Sequence, residues 1–152
     1  MRVLVLSDSH GSRGNVDLAL RRQPTAEVVL HLGDGFDDLE YARFEYPDKM
    51  FLQVCGNCDR CCPFPAEETI TLLGKKIILT HGHIYRVKYT LEDIIAHGQQ
   101  ENADIVLFGH THTPVTGYED GLYWMNPGAL KSRSYGIIDI TDKGIVTNLV
   151  EL

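Results

Sequence analysis

The sequence predicts an α/β protein of four layers, α/β/β/α, with two mixed sheets packed face to face and helices outside. Three observations carry that expectation. In the first half, short continuous apolar runs alternate with helical stretches, as strands buried on both faces require. After residue 113 the pattern changes to strand pairs separated by hairpin turns, Asp120-Gly121 and Lys143-Gly144. Five of the apolar runs also stop, within one to four residues, at an Asp, Asn or His. In sheets of this kind the loops at the carboxyl ends of the strands converge on one rim, where ligands bind.

Taken in order, Val3-Leu4-Val5-Leu6 is a first strand, and residues 14–22 hold Val16, Leu18, Ala19 and Leu20, a short helix before Pro24. Val28-Val29-Leu30 is a second strand. Residues 37–46 carry Leu39, Tyr41, Ala42 and Phe44, a second helical stretch stopped at Pro47. A third strand follows at Phe51-Leu52-Gln53-Val54. Between Thr71 and Leu79 the pair Gly74-Lys75 separates two β-like runs and predicts a hairpin. Thr90-Leu91-Glu92-Asp93 is a weakened capping box opening a helix that would bury Leu91, Ile94 and Ile95. Ile105-Val106-Leu107-Phe108 reads as another buried strand, and residues 115–118, 122–125, 135–140 and 145–150 as the closing ones. No linker, repeat or low-complexity segment interrupts the chain, so residues 1–152 are expected to form one domain with no cap domain.

Composition narrows the function classes. At 152 residues, 43% hydrophobic and 23% charged, the chain has the makeup of an ordinary globular domain. No apolar run approaches the roughly 20 residues that span a bilayer. The four or five apolar residues after Arg2 are too few for a secretory signal, and Asp8 and His10 follow at once. A cytoplasmic protein without a membrane partner is expected. The formal charge of −7 and the lack of a basic run argue against long nucleic acid, which is bound through Lys and Arg. A small phosphorylated molecule remains compatible, because metal ions would offset the carboxylates around a site.

All four cysteines lie within eight residues, at Cys55, Cys58, Cys61 and Cys62. A thiolate metal site is disfavoured because no second pair occurs elsewhere and Asn57 and Asp59 are interleaved. Reduced thiols in a loop are expected.

The polar ends of the five runs are Asp8-Ser9-His10, Gly33-Asp34, Gly56-Asn57, His81-Gly82-His83 and His110-Thr111-His112. Singly, each has an ordinary explanation: a helix cap and surface imidazole, a β-turn, or a turn asparagine. Two His–x–His pairs after buried strands are harder to explain by packing. Oxygen and imidazole ligands without thiolate suit Mn, Fe, Co, Ni or Zn. His83 would face substrate or orient its loop. His31 reads as a satisfied buried histidine and His97 as a solvated mid-helix one. Arg13, Arg60, Lys131 and Arg133 would steer phosphate to the rim or serve as ordinary surface charges.

In order and spacing, Asp8-x-His10, Gly33-Asp34, Gly56-Asn57-x-Asp59, His81 and Gly109-His110-x-His112 resemble the signature of the calcineurin-like metallophosphoesterases, in particular the small, cap-free YfcE-like phosphodiesterases. The resemblance extends to Asn126-Pro127-Gly128. It implies the four-layer sandwich and two divalent metal ions, manganese first, with nickel, zinc, iron, cobalt or magnesium as alternatives. One ion would be held by Asp8, His10 and His112, the other by Asn57, His81 and His110, with Asp34 bridging; Asp34 and Asn57 would be the catalytic pair. Two such ions about 3.5–4 Å apart clamp the attacking and leaving oxygens at phosphorus and generate a hydroxide nucleophile.

The implied activity is hydrolysis of a small phosphodiester, with phosphomonoesterase activity beside it. Two positions depart from the family. Cys58 stands where many relatives place a leaving-group-protonating His, and Ala129 where a small hydroxyl residue often follows Asn-Pro-Gly. Asp59 would orient a ligand from behind or simply shape the turn. The alternatives are a non-catalytic interaction scaffold of the retromer-subunit type, and a phosphatase directed at cyclic or bridged dinucleotides. A homo-oligomer is compatible with either.

Overall fold

Buried apolar residues on both faces of the same strands are what divide this molecule into layers. The computed structural model describes residues 1–152. Its strands and helices are β1 (Arg2–Leu6), α1 (Arg13–Arg22), β2 (Ala26–His31), α2 (Glu40–Glu45), β3 (Met50–Gln53), β4 (Glu67–Leu72), β5 (Lys75–Thr80), α3 (Glu92–Gln100), β6 (Ile105–Leu107), β7 (Val115–Glu119), β8 (Leu122–Asn126), β9 (Ser134–Thr141) and β10 (Gly144–Glu151). One sheet runs β10-β9-β1-β2-β3 and the other β4-β5-β6-β8-β7. Each sheet holds three parallel strands: β1, β2 and β3, with β3 at one edge and antiparallel β9 and β10 on the other side, and β5, β6 and β8, flanked by antiparallel β4 and β7.

The period of two along each strand sorts the side chains. Val3, Val5, Leu30, Ile77, Leu79, Ile105 and Leu107 meet between the sheets. Leu4, Leu6 and Val29 face outward to Val16, Ala19 and Leu20 of α1 and Ala42 of α2. On the far side Ile78, Val106 and Phe108 pack with Ile94 of α3. Each parallel strand is therefore apolar at consecutive positions, and the predicted α/β/β/α order is observed.

The second helical stretch differs from its expectation. Residues Phe36–Leu39 form a 3₁₀ turn, and α2 begins only at Glu40. The cause is Asp38, whose buried carboxylate accepts from Ser9 Oγ (2.6 Å) and the Gly11 N–H (2.8 Å) and so is drawn back to the β1 loop. His97, expected in solvent, is half-buried. Its Nε2 lies 3.0 Å from Glu67 Oε1, its ring stacks on Tyr85, and the Tyr85 hydroxyl donates to Glu67 Oε2 at 2.6 Å. That cluster ties α3 and the turn at His83–Tyr85 to β4. Cys55 and Cys62 are joined as a disulfide, contrary to the expectation of four reduced thiols, while Cys58 and Cys61 are free and exposed. No helix is long and apolar enough to cross a membrane.

Candidate metal centre

The carboxyl ends of β1, β2, β5 and β6 bring their polar residues to one place. Asp8 and His10 follow β1, Asp34 follows β2, His81 follows β5, and His110 and His112 follow β6. Five of these six adopt left-handed backbone angles: Asp8 (φ 53°), His10 (43°), Asp34 (58°), His110 (68°) and His112 (60°). Such conformations cost non-glycine residues of order 1–3 kcal/mol each and persist where surrounding structure imposes them, typically at functional sites. Gly33 makes the crowding possible. A Cβ there would lie 2.5 Å from the Gly56 nitrogen, so the Asp34 and Asn57 loops approach closely only because it has none.

Asp8 is fully buried. Its Oδ2 accepts from Ser7 Oγ (2.6 Å) and the His110 N–H (3.1 Å). Its Oδ1 has no hydrogen-bond partner and lies 3.0 Å from His112 Nε2, 3.8 Å from His10 Nε2 and 3.9 Å from His81 Nε2. Asp34 turns Oδ1 to the Cys58 N–H (2.8 Å), and its Oδ2 stands 3.4 Å from His81 Nε2 and 3.8 Å from His10 Nε2. His81 Nδ1 is 2.7 Å from the Leu32 carbonyl, which can only accept; the ring therefore carries its proton there and leaves Nε2 aimed at the cluster. His110 Nδ1 is 3.2 Å from that same Nε2.

Electrostatics agree with a donor set of this kind. Burial and the neighbouring His81 push His110 down to about 4, so it is a neutral imidazole at pH 7. His83 is lowered for the same two reasons. Burial opposes ionisation of Asp34, yet His81 and the Cys58 N–H overcome it and hold this carboxyl well below the usual range. Burial likewise opposes a charged His81, but Asp34 and Asp8 raise it. The Cys58 thiol is pushed up, chiefly by Asp34 and then by burial.

The residues present fit divalent cations. Buried Asp8 Oδ1 and His10 Nε2 are both without hydrogen-bond partners, a costly arrangement for bare polar atoms. Two donors about 2.1 Å from one ion at right angles stand about 3 Å apart; the pairs Asp8–His112 (3.0 Å), His81–His110 (3.2 Å) and Asp34–His81 (3.4 Å) have that spacing. Two groups emerge, Asp8–His10–His112 and Asp8–Asp34–His81. Asn57 is less tightly drawn in. It precedes Cys58 on the loop that bonds Asp34, but its amide is exposed and its one hydrogen bond goes to Cys58 Sγ at 3.4 Å.

The supporting residues are those that sequence reading weighed least. Asp59 accepts from the N–H groups of Asp34, Gly35 and Gly56 (2.8 Å each) and of Phe36 (3.4 Å), binding the Asp34 and Asn57 loops together. Asn126 donates to the Gly109 carbonyl (2.8 Å) and Thr111 Oγ1 (2.9 Å) and accepts from the Gly128 N–H (2.9 Å), which fixes the His110 loop. Buried His31 accepts from the Gly33 N–H at Nδ1 (3.3 Å) and meets Ser9 Oγ at Nε2 (3.0 Å). Ser7 and Ser9 carry no sequence signal beyond adjacency to Asp8 and His10, and Asp38 none beyond following Asp34 by four residues. His83 lies beside the cluster, its ring 5.6 Å from His81 and 6.1 Å from His110. Arg13 pairs with Asp38 (3.5 Å), and Arg133 donates to the Leu152 carbonyl. Ala129 is fully buried.

The fold and the cluster at its strand ends define a four-layer α/β/β/α protein with a candidate centre for divalent cations. The chain belongs to the calcineurin-like phosphoesterase superfamily, whose domain model matches residues 1–143. It is 30% identical over 147 residues to the probable metallophosphoesterase YsnB of Bacillus subtilis, covering 92% of this chain and 85% of that protein. It is 27% identical over 168 residues to the phosphodiesterase YfcE of Escherichia coli K12 (91% and 88% covered). Among solved structures, a predicted phosphoesterase of Streptococcus pneumoniae superposes with a TM-score of 0.81 at 26% identity, over 99% of this chain and 88% of that one.

Proposed function

We propose that this chain is a cytoplasmic, single-domain, cap-free phosphodiesterase, with some monoesterase activity, acting on small phosphoesters through two divalent ions. The observation that carries the reading is the partnerless pair, Asp8 Oδ1 and His10 Nε2, buried among ionised and neutral donors. Asp8, His10 and His112 would hold one ion, Asn57, His81 and His110 the other, and Asp34 both. When bound, such ions supply a hydroxide from water and positive charge to the phosphoryl oxygens.

The chain's own residues do the rest. Leu32 and Ser7 hold His81 and Asp8 in position, and Asp59 keeps Asp34 against the Asn57 loop. Asn57, a neutral ligand, leaves the site more attractive to a phosphate than another carboxylate would. Cys58, kept as a thiol by Asp34, adds no negative charge beside the phosphate.

The test is turnover of bis-p-nitrophenyl phosphate with added manganese, after chelation, and in Asp34→Asn. Chelation should abolish activity, and loss of the bridging carboxylate should lower kcat/KM by at least the roughly 100-fold that removal of an outer-shell support can cost. Equal rates in all three preparations overturn the proposal. No metal uptake and no thermal stabilisation by manganese would favour an interaction scaffold instead.

A further inference from the structure

We propose that the Cys55–Cys62 disulfide is a redox staple that regulates the metal centre through the loop bearing Asn57. The proposal deepens, and rests on, the phosphoesterase reading above.

The disulfide closes the loop at its two ends, seven residues apart in sequence, and Asn57, Cys58 and Asp59 all lie inside it. The first half of the loop is well fastened. The Cys58 N–H bonds Asp34 Oδ1, and the Asp59 carboxylate bonds the Asp34 and Gly56 N–H groups, each at 2.8 Å. The second half is not. From Arg60 to Pro63, beyond the local turn at Arg60-Cys61, neither backbone nor side chain bonds another part of the molecule, and Cys61 sits at a left-handed φ of 55°. What fastens this segment is the covalent bond at Cys62.

The two sulfur positions are unequal. Cys55 stays docked in either redox state: its N–H bonds the Pro65 carbonyl at 2.8 Å, and its sulfur is 2.9 Å from the Phe64 carbonyl, an acceptor for the thiol hydrogen that reduction creates. Cys62 has no such second tether. Reduction therefore frees Arg60–Pro63, the segment directly after Asp59, so the carboxylate that holds Gly56 and Asp34 loses its covalent backing; Asn57, between Gly56 and Cys58, loosens through that residue without dismantling the cluster. Both cysteines are half-buried, and partly exposed disulfides are the more reducible kind. In a reducing compartment a disulfide of this sort is a reversible element rather than a permanent brace.

The step balances with an external dithiol. One of its thiolates attacks one sulfur of the Cys55–Cys62 bond, forming a mixed disulfide and releasing the other protein sulfur. The second thiol of the reductant then displaces the remaining protein sulfur. Two electrons and two protons pass to the protein, which ends with two thiols, and the dithiol leaves as its cyclic disulfide. A small-molecule disulfide such as oxidised glutathione reverses the exchange.

The experiment uses the full chain stripped of metal. Thiol titration should find two reactive thiols after oxidation, Cys58 and Cys61, and four after dithiol reduction. With reductant removed under anaerobic conditions, calorimetric titration with manganese should show affinity about ten-fold weaker in the reduced protein, the lower end of the loss expected when a ligand's support is removed. Cys55→Ser/Cys62→Ser should bind like the reduced wild type under all conditions, with circular dichroism as the check on folding. If the double variant fails to fold, the reduced wild type alone decides. Four reactive thiols after oxidation, or indistinguishable manganese affinities in the two redox states, overturn the proposal. Diester hydrolysis by the oxidised, manganese-loaded protein is read separately, so redox-dependent metal binding without hydrolysis rejects the phosphoesterase reading while the staple stands.

Discussion

The loop carrying His110 and His112 and the loop carrying Asn57 both border the candidate metal centre, and they are fastened by different means. The first is held through Asn126, a fully buried amide that bonds the Gly109 carbonyl, Thr111 and Gly128, and through Asp8, which accepts from the His110 N–H. Every one of those fastenings is a hydrogen bond between groups that folding alone brings together. The second is held at one end by the Asp59 carboxylate and at the other by a disulfide. Buried hydrogen bonds respond to mutation, and a disulfide responds also to the redox state of its surroundings. The centre thus combines one loop set by packing with one that chemistry outside the protein can loosen.

The largest break in this comparison is expected from Asp59→Ala, which strands four backbone N–H groups. Unsatisfied buried donors cost about 1–3 kcal/mol apiece, and with water reaching some of them the loss should be about 4 kcal/mol in denaturant unfolding. Manganese affinity should fall with it. Asn126→Ala should cost about 3 kcal/mol by the same measurement and impair manganese binding regardless of redox state. A redox-dependent Asn126→Ala phenotype would erase the distinction between the loops.

The smallest effect sharpens the comparison through pH. Burial lowers His31 to about 4, and its ring nitrogens are engaged by Gly33 and Ser9 on the Asp34 side. A histidine more acidic when folded than its usual 6.5 contributes stability above about pH 6.5 and loses it as pH falls towards 4. Between pH 7 and 5 that amounts to roughly 2 kcal/mol. Urea unfolding of the metal-free protein across this range should show the loss, and His31→Gln should flatten it; an unchanged slope in the variant would assign the pH dependence to other groups.

Much of this was legible in the chain. Val3–Leu6 and Ile105–Phe108 are apolar at every position because both strand faces are covered, and that density points to a layered parallel core. Asp120-Gly121 adopts two consecutive positive φ values, the turn that its sequence asks for. The placement of Asp8, Asp34, His81 and His110 at strand ends was equally visible. What could not be read was partnership across distance. Glu67 and His97 are thirty positions apart and meet only because β4 lies beside the turn at Tyr85 and the end of α3. Cys55 and Cys62 read as loop thiols because nothing in their spacing says which sulfurs touch.

By itself the sequence determined the layered α/β class, the strands and their turns, and which side chains end them, since periodicity, turn chemistry and burial pattern are local properties. Only the tertiary structure decided that the β9–β10 hairpin returns to lie beside β1, that Asp59 and Asn126 hold the two loops, and that a disulfide closes one of them. Those outcomes depend on which distant groups approach within hydrogen-bonding or covalent reach, a condition set by the packing of whole sheets.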